Sequence, residues 1–552
     1  MNIKCDELIE FESERGIVSA QLCADDGTCK NLIPFVHRPV GVQYDNGGIE
    51  SILAEGCDIY KLRFSVPKEG DYTLKVTYAD GESQLTQYTA QGFANRGFIK
   101  VSDRDCRYFS YSDGTPYYPI GINMAFPTVY FASNGREFGK SRETQYTGIK
   151  EYERWLRLAA ENGVNLVRLW LGYDYFTPDT EDASVLSQEK FSKLDIVVSL
   201  AKKYGMKLKF TLEQFRYFRD VPNTNIVDFI FNKKLSLDGE PCGSYTEWLC
   251  EEKWRKAWLN KVRELSARYA FDPDVFAIEL WNEQYACDAE FEDVVKWNRD
   301  MVPVIRELFP NTMVINSLGS LDCDRALVRY KAFPWEIFDF RQLHRYLDLG
   351  ARYEDCHGNP IEMLQAGISL MKDESVPFVV AETGAVNNRH SGAFKFYPRD
   401  DRGILFVDCV YAPVFLGCAS CGHHWWWNAN YVESKNLYRY FKPLADMVSD
   451  VDFDEEHFVA RDLSDEDTYL LLLEGEKVTL GFLRNKADSW QNVLRDDIEP
   501  APIVSKTYDI PGAKSVTLYP IWDEEQGKVS CNNGRLIVEN LKYGIIFKLE
   551  RY

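Results

Sequence analysis

Two carboxylates stand where buried strands would ordinarily stop in Gly, Pro or Asp. The run Phe276-Ala-Ile-Glu-Leu-Trp-Asn-Glu283 has the length of a fully buried strand, yet it ends in Trp281, Asn282 and Glu283. Further along, Val376-Pro-Phe-Val-Val-Ala-Glu382-Thr-Gly384 ends in the same way. An unpartnered amide or carboxylate at the end of a buried strand costs ~2 kcal/mol or more, so such groups are satisfied or used. Two carboxyls converging on one glycosidic bond can cleave it. Separations of ~5–5.5 Å suit a nucleophile with an acid/base, and ~6.5–9.5 Å an inverting pair. The acid must keep its proton near neutrality, so the two environments must differ. Trp281 next to Glu283 offers apolar bulk that raises a pKa, and Arg168 offers a cation that keeps Glu382 ionised. The competing reading is a pair of buried salt bridges. Glu279, earlier in the same strand, reads as a structural contact inside the fold.

Positioning these groups requires a scaffold whose strand ends meet. From about residue 98 to 445 strand and helix patterns alternate. Tyr118–Asn123 is a first strand, and a helix follows with Ile149, Tyr152, Trp155, Leu156, Ala159 and Ala160 on one face, closed by Asn162-Gly163. Val164–Leu171 is a second strand, and a helix over Leu194–Ala201, closed by Gly205, leads to a third at Met206–Leu212. A long helical segment over 247–269 precedes the strand ending in Glu283. Met313–Asn316 is fifth, the sixth lies near Phe338–His344, the seventh ends at Glu382, and the eighth runs through Cys421–Trp427. Eight β-then-α units predict an α/β TIM barrel, (β/α)8, whose active face gathers the strand C-termini. The expected organisation is an immunoglobulin-like β-sandwich at 1–97, the catalytic barrel at 98–445 and an all-β domain, a second sandwich, at 446–552. In the first, Tyr60–Val66 and Tyr72–Tyr78 alternate and read as a strand pair joined by a turn. In the last, Glu474-Gly475-Glu476 reads as a hairpin. The stretch after strand three, with Gln214–Arg219 and Asn223–Asn232, reads as an insertion at the barrel mouth.

The bulk numbers narrow the partners. A formal charge of −21 over 552 residues disfavours nucleic acid. No run reaches the ~18 apolar residues of a membrane span, and no signal core precedes the first strands. The 14 Cys have no scaffold spacing, which reads as free thiols in a reducing cytoplasm. A homo-oligomer is compatible with the sequence. Cys418, Cys421, His423 and His424 do not make a zinc set, because an extended strand sends them to opposite faces. His390 reads as part of a solvated loop.

Taken together, these motifs resemble glycoside hydrolase clan A, and family 5 in particular. Leu280-Trp-Asn-Glu283 looks like the fourth-strand motif whose Glu is acid/base and whose Asn282 contacts the sugar 2-hydroxyl. Ala381-Glu382-Thr-Gly384 looks like the seventh-strand nucleophile. Arg168 resembles the second-strand Arg beside it, and His344-Arg-Tyr346 the sixth-strand His-x-Tyr. Trp425 and Trp427 stand where the clan places an aromatic floor under the reacting sugar. Asn123 and Glu213, at the ends of strands one and three, complete the expected substrate contacts. The resemblance covers about 98–445 and implies a retaining β-glycosidase, acting on short oligosaccharides or glycosides of gluco or manno type, with no metal or organic cofactor. An endo-glycanase and an inactive sugar-binding barrel are the alternatives. The motif departs from the family at Gln284, where proline is more frequent, and at Glu213-Gln214, where many members carry a His.

Overall fold

The structure is a computed structural model, described here for residues 1–131, 144–214, 216–217, 231–232, 235–287, 289–390, 392–522 and 527–552. At its centre lies the expected barrel. Gly121–Asn123, Leu166–Trp170, Lys207–Thr211, Val275–Glu279 and Met313–Ile315 pair in that order, all parallel. Arg341–Asp348 and Phe378–Val386 form a second parallel pair. The eighth position is shorter than expected. Only His424 bridges, to Thr383 on one side and Ile122 on the other, and so closes the ring. Strands five and six meet through Asp339 N donating to Val314 O at 3.1 Å.

Helices alternate with these strands. Ile149–Glu161 ends at Asn162, with Gly163 at a φ of 83°, and Gln188–Lys203 is followed by Gly205 at 71°, so both glycines serve as left-handed stops. The expected long segment before strand four is two helices, Tyr245–Cys250 and Glu252–Tyr269. A small sheet of Ile99–Val101, Phe109–Tyr111 and Pro116–Tyr117 plugs the lower end of the barrel, where Phe109 packs edge-on against Phe276 and Phe340.

The N-terminal sheets hold a correction. Ile59–Phe64 and Gly70–Tyr78 are both strands, but they do not pair with each other. The first pairs with Ile9–Ser13 and Phe35–His37, the second with Ile17–Ala24 and Ser83–Phe93. The turn between them crosses from one sheet to the other. The half-buried faces of both then meet in one core containing Leu62, Phe64, Leu74 and Val76. Alternation reports a buried face, and either sheet of a sandwich satisfies it. The free-thiol expectation is also corrected at one place. Cys23 and Cys29 lie directly opposite in a hairpin and form a disulfide, while twelve cysteines are free. The cytoplasmic expectation loses that part of its support.

In the C-terminal region, Thr468–Glu474 and Val478–Asn485 form the expected hairpin, with Gly475 N donating to Val478 O at 2.8 Å. Leu471, Leu473, Leu480 and Phe482 of this hairpin belong to the barrel's own apolar core. Among the described residues no helix is long and apolar enough to cross a membrane. The expected insertion at Gln214–Arg219 and Asn223–Asn232 lies almost wholly outside the described residues.

Candidate active site

Arg168 is the hub from which the site is built. It is fully buried on strand two, and each guanidinium nitrogen is used. Nε donates to Glu279 Oε2 at 2.7 Å and to Thr211 Oγ1 at 3.1 Å. Nη2 donates to Glu279 Oε1 at 2.9 Å and Asn282 Oδ1 at 2.7 Å, and Nη1 to Asn123 Oδ1 at 3.1 Å and to Glu382 Oε1. Glu279 is thus the structural partner that strand four predicted. Burial pushes its carboxyl up, but Arg168 and then Lys209 overcome this and hold it at about 2. Lys209 lies beneath, its Nζ donating to Gln342 Oε1 at 3.0 Å, and burial lowers its ammonium to about 7.

Glu283 and Glu382 converge at the strand ends. One carboxylate oxygen of each, with a ring nitrogen of His344, lies within 4.8 Å of the others. Tyr346 donates to Glu382 Oε2 at 2.6 Å, and His344 Nδ1 shares a hydrogen bond with Glu283 Oε1 at 2.8 Å. Burial pushes both carboxyls upward. At Glu382, Arg168 and the Tyr346 hydroxyl oppose it. At Glu283 the Glu382 charge adds to it, so that carboxyl sits well above the ordinary range. Glu283 is therefore the one that keeps its proton. Burial, then Arg168, keeps His344 neutral. The indole of Trp281 stands 5.8 Å from the rings of both Tyr245 and Trp297.

The other expected contacts divide. Asn282 is buried with its oxygen held by Arg168, while its amide nitrogen carries no hydrogen bond among the described residues. Trp425 is 7% exposed and packs at 4.9 Å on Trp170. Three of the expected substrate contacts are buried and engaged within the protein. Asn123 is 0% exposed; its oxygen takes Arg168, and its nitrogen donates to Ala381 O and His423 O, both at 3.1 Å. Glu213 is also 0% exposed and forms an ion pair with Lys261, so it is no rim carboxylate. Trp427 is buried edge-on against Phe126, Trp155 and Trp425. The eighth segment bridges only at His424 and then turns, with Trp427 N donating to Trp425 O at 3.1 Å.

Sequence reasoning missed the rim beside Tyr346. His390 is not simply solvated. Its ring stands edge-on to Tyr346 at 5.3 Å, its Nδ1 meets Asp348 Oδ2 at 2.9 Å, and its Nε2 meets Ser320 Oγ at 3.1 Å. Only the polar, Gly-rich character of these loops could have signalled them. Asp322, Asp348 and His390 bring donor atoms within 4.8 Å of one another, as do Glu283, His344 and Glu382, and these are the two groups able to hold a cation among the described residues.

Fold and site together define a class: a (β/α)8 barrel whose fourth and seventh strands each deliver one carboxyl, with an Arg from strand two between them. Residues 131–403 match the family described as Cellulase (glycosyl hydrolase family 5). Over residues 131–403 the chain is family 5-like, and β-sheet regions lie before and after its barrel. Mannan endo-1,4-β-mannosidase F of Aspergillus clavatus is 26% identical over 208 residues, 37% of this chain and 43% of its own length. Cellodextrinase A of Ruminococcus flavefaciens is 30% identical over 185 residues, 33% of this chain and 46% of its own. The chain thus spans less than half the length of these curated relatives. A Bacteroides vulgatus ATCC 8482 protein described as a candidate glycoside hydrolase superposes with a TM-score of 0.58 at 13% identity, covering 100% of this chain and 99% of its own. A family 5 glycoside hydrolase of the same organism covers 83% of this chain and 94% of its own, with a TM-score of 0.50 and 13% identity. At such identity the likeness is one of fold.

Proposed function

We propose that this protein is a retaining β-glycosidase acting on β-linked sugars of manno or gluco configuration. The observation that carries the reading is the close, unequal pair: Glu283 and Glu382 oxygens within 4.8 Å, with Glu283 the more strongly raised. Oxygens this close fit the shorter carboxyl separation of a nucleophile and its acid/base better than the ~6.5–9.5 Å of an inverting pair. Glu382, held by Arg168 and Tyr346, attacks the anomeric carbon. Glu283 gives its proton to the leaving oxygen as that bond breaks, which leaves a glycosyl ester on Glu382. A water then attacks the ester, Glu283 takes its proton, and Glu382 leaves as carboxylate. The free amide nitrogen of Asn282 is placed to donate to a hydroxyl next to the anomeric carbon. Trp425 offers the reacting ring an apolar face.

Short oligosaccharides or simple glycosides are the proposed substrates, with cellodextrinase A among the relatives as support. Endo-action on a polymer is the second reading, favoured by the mannan endo-1,4-β-mannosidase relative. A 2-fluoro glycoside should trap the ester on Glu382, and Glu382→Gln should abolish turnover of aryl β-glycosides. Labelling of another residue would sink the mechanism. Product analysis on mannopentaose and cellopentaose separates release of end units from internal cleavage.

A further inference from the structure

Glu283 occupies a backbone conformation that non-glycine residues rarely adopt, with a φ of 50° and ψ of 50°. Such a residue persists only where its surroundings over-determine it. Here the surroundings are the two residues that follow strand five. Trp281 N donates to Asn316 Oδ1 at 3.0 Å, and Glu283 N to Ser317 Oγ at 3.0 Å. Gln284 N donates to Ser317 O at 3.0 Å, while the Ser317 hydroxyl returns a bond to Trp281 O at 3.1 Å. Asn316 is itself fixed. Its amide nitrogen donates to Gln284 Oε1 and to Asn298 Oδ1, each at 2.7 Å, and Asn298 donates to the same Gln284 oxygen at 2.7 Å. Gln284, Asn298, Asn316 and Ser317 are all 0% exposed, so none of them faces the cleft.

We propose that Asn316 and Ser317 are positioning residues for the acid/base Glu283, with Gln284 and Asn298 locking the Asn316 amide. This inference rests on the glycosidase reading. Its chemical logic lies at Gln284, where the family motif more often continues with proline. A proline at that position could neither donate its N–H to Ser317 nor accept from Asn316. This chain therefore aims its acid by a buried amide network, in which Gln284 Nε2 has no hydrogen-bond partner among the described residues.

The test compares two glycosides of one sugar that differ in the leaving group. A 2,4-dinitrophenolate leaves without a proton, whereas a methoxyphenolate needs the acid. Ser317→Ala and Asn316→Leu should lower kcat/KM on the methoxyphenyl glycoside by ~10- to 100-fold, part of the general-acid contribution. They should leave kcat/KM on the dinitrophenyl glycoside within ~3-fold on the same ground. Azide should restore the turnover of the dinitrophenyl substrate. It attacks the glycosyl ester, a C–N bond replaces the C–O bond to Glu382, and no base is needed. Equal losses on both substrates, or losses on neither, would overturn the clamp. Ser317→Ala removes a single oxygen and keeps the test valid if Asn316→Leu fails to fold. A wild-type enzyme inert toward both glycosides would overturn the glycosidase reading itself, a distinct outcome.

Discussion

At the scale of single residues the site is an exercise in charge neutralisation. Arg168 faces Glu279 and Glu382 in full burial, and Glu279 takes the bidentate grip. Removing one member of a buried pair leaves the other uncompensated, which costs ~3–5 kcal/mol. Glu279→Gln is therefore expected to lose about that much stability at pH 7, read from urea unfolding. The sign with pH follows from its depressed carboxyl, 4.5 in its ordinary state and about 2 when folded. A depressed carboxyl contributes stability that is fully present above pH 4.5 and lost as pH falls toward 2. Wild type should thus lose stability more steeply than Glu279→Gln across that acid window. Parallel curves would show that Arg168 does not depend on Glu279.

At the scale of elements, the short eighth strand decides how the tryptophans that follow it are buried. The chain bridges once at His424 and turns, so Trp425 lines the cleft over Trp170 while Trp427 enters the aromatic layer behind it. The two should separate cleanly. Trp425→Ala should lower kcat/KM on glycosides by ~10-fold or more, the loss of one well-placed contact of about 1.4 kcal/mol, with little change in unfolding. Trp427→Ala should cost ~3–5 kcal/mol of stability by leaving a cavity, with KM near wild type. A Trp427 variant that binds poorly yet unfolds normally would reverse the assignment. Much of this level was legible in the sequence, as at the helix stops Gly163 and Gly205, but the fourth strand stops at Glu279, short of Glu283, and the seventh runs on past Glu382 to Val386. The eighth strand was not legible, because three consecutive tryptophans fit a strand and a turn equally well.

At the scale of the molecule, the β regions are fastened to the barrel by buried charge as well as apolar contact. Arg63 pairs with Asp195 at 2.9 Å on the N-terminal side. On the C-terminal side Arg484 reaches Asp408 of the barrel helix Ile404–Phe415 at 2.8 Å, and Asp488 at 2.8 Å. With Phe482 and Trp490 inside the barrel's core, the two should unfold as one unit. Arg484→Met should lower stability by ~3–5 kcal/mol for a broken buried network, with one calorimetric transition before and after. Two transitions in the variant would mean that the C-terminal sheets stand alone. We place the divisions near 97 and 445, and at the second the shared core makes the boundary one of sequence rather than of stability.

The sequence by itself determined the period of each element, the number of βα units and the two carboxyls, because burial and strand length are local properties of a chain. Arg168, Asn282, His344 and Tyr346 were legible for the same reason: the first lies within strand two, the second just after strand four, and the last two within strand six, all of plain character. Which sheet Ile59–Phe64 would join and whether Asn123 and Glu213 would see solvent are not local. They depend on what the fold packs alongside, as Lys261 of the helix Glu252–Tyr269 does for Glu213 and Arg168 of the adjacent strand for Asn123. The clamp on Glu283 belongs to the same kind. Asn298, Asn316 and Ser317 carry no signal in the sequence and become a unit only when strands four and five and the helix Phe291–Leu308 between them are brought together.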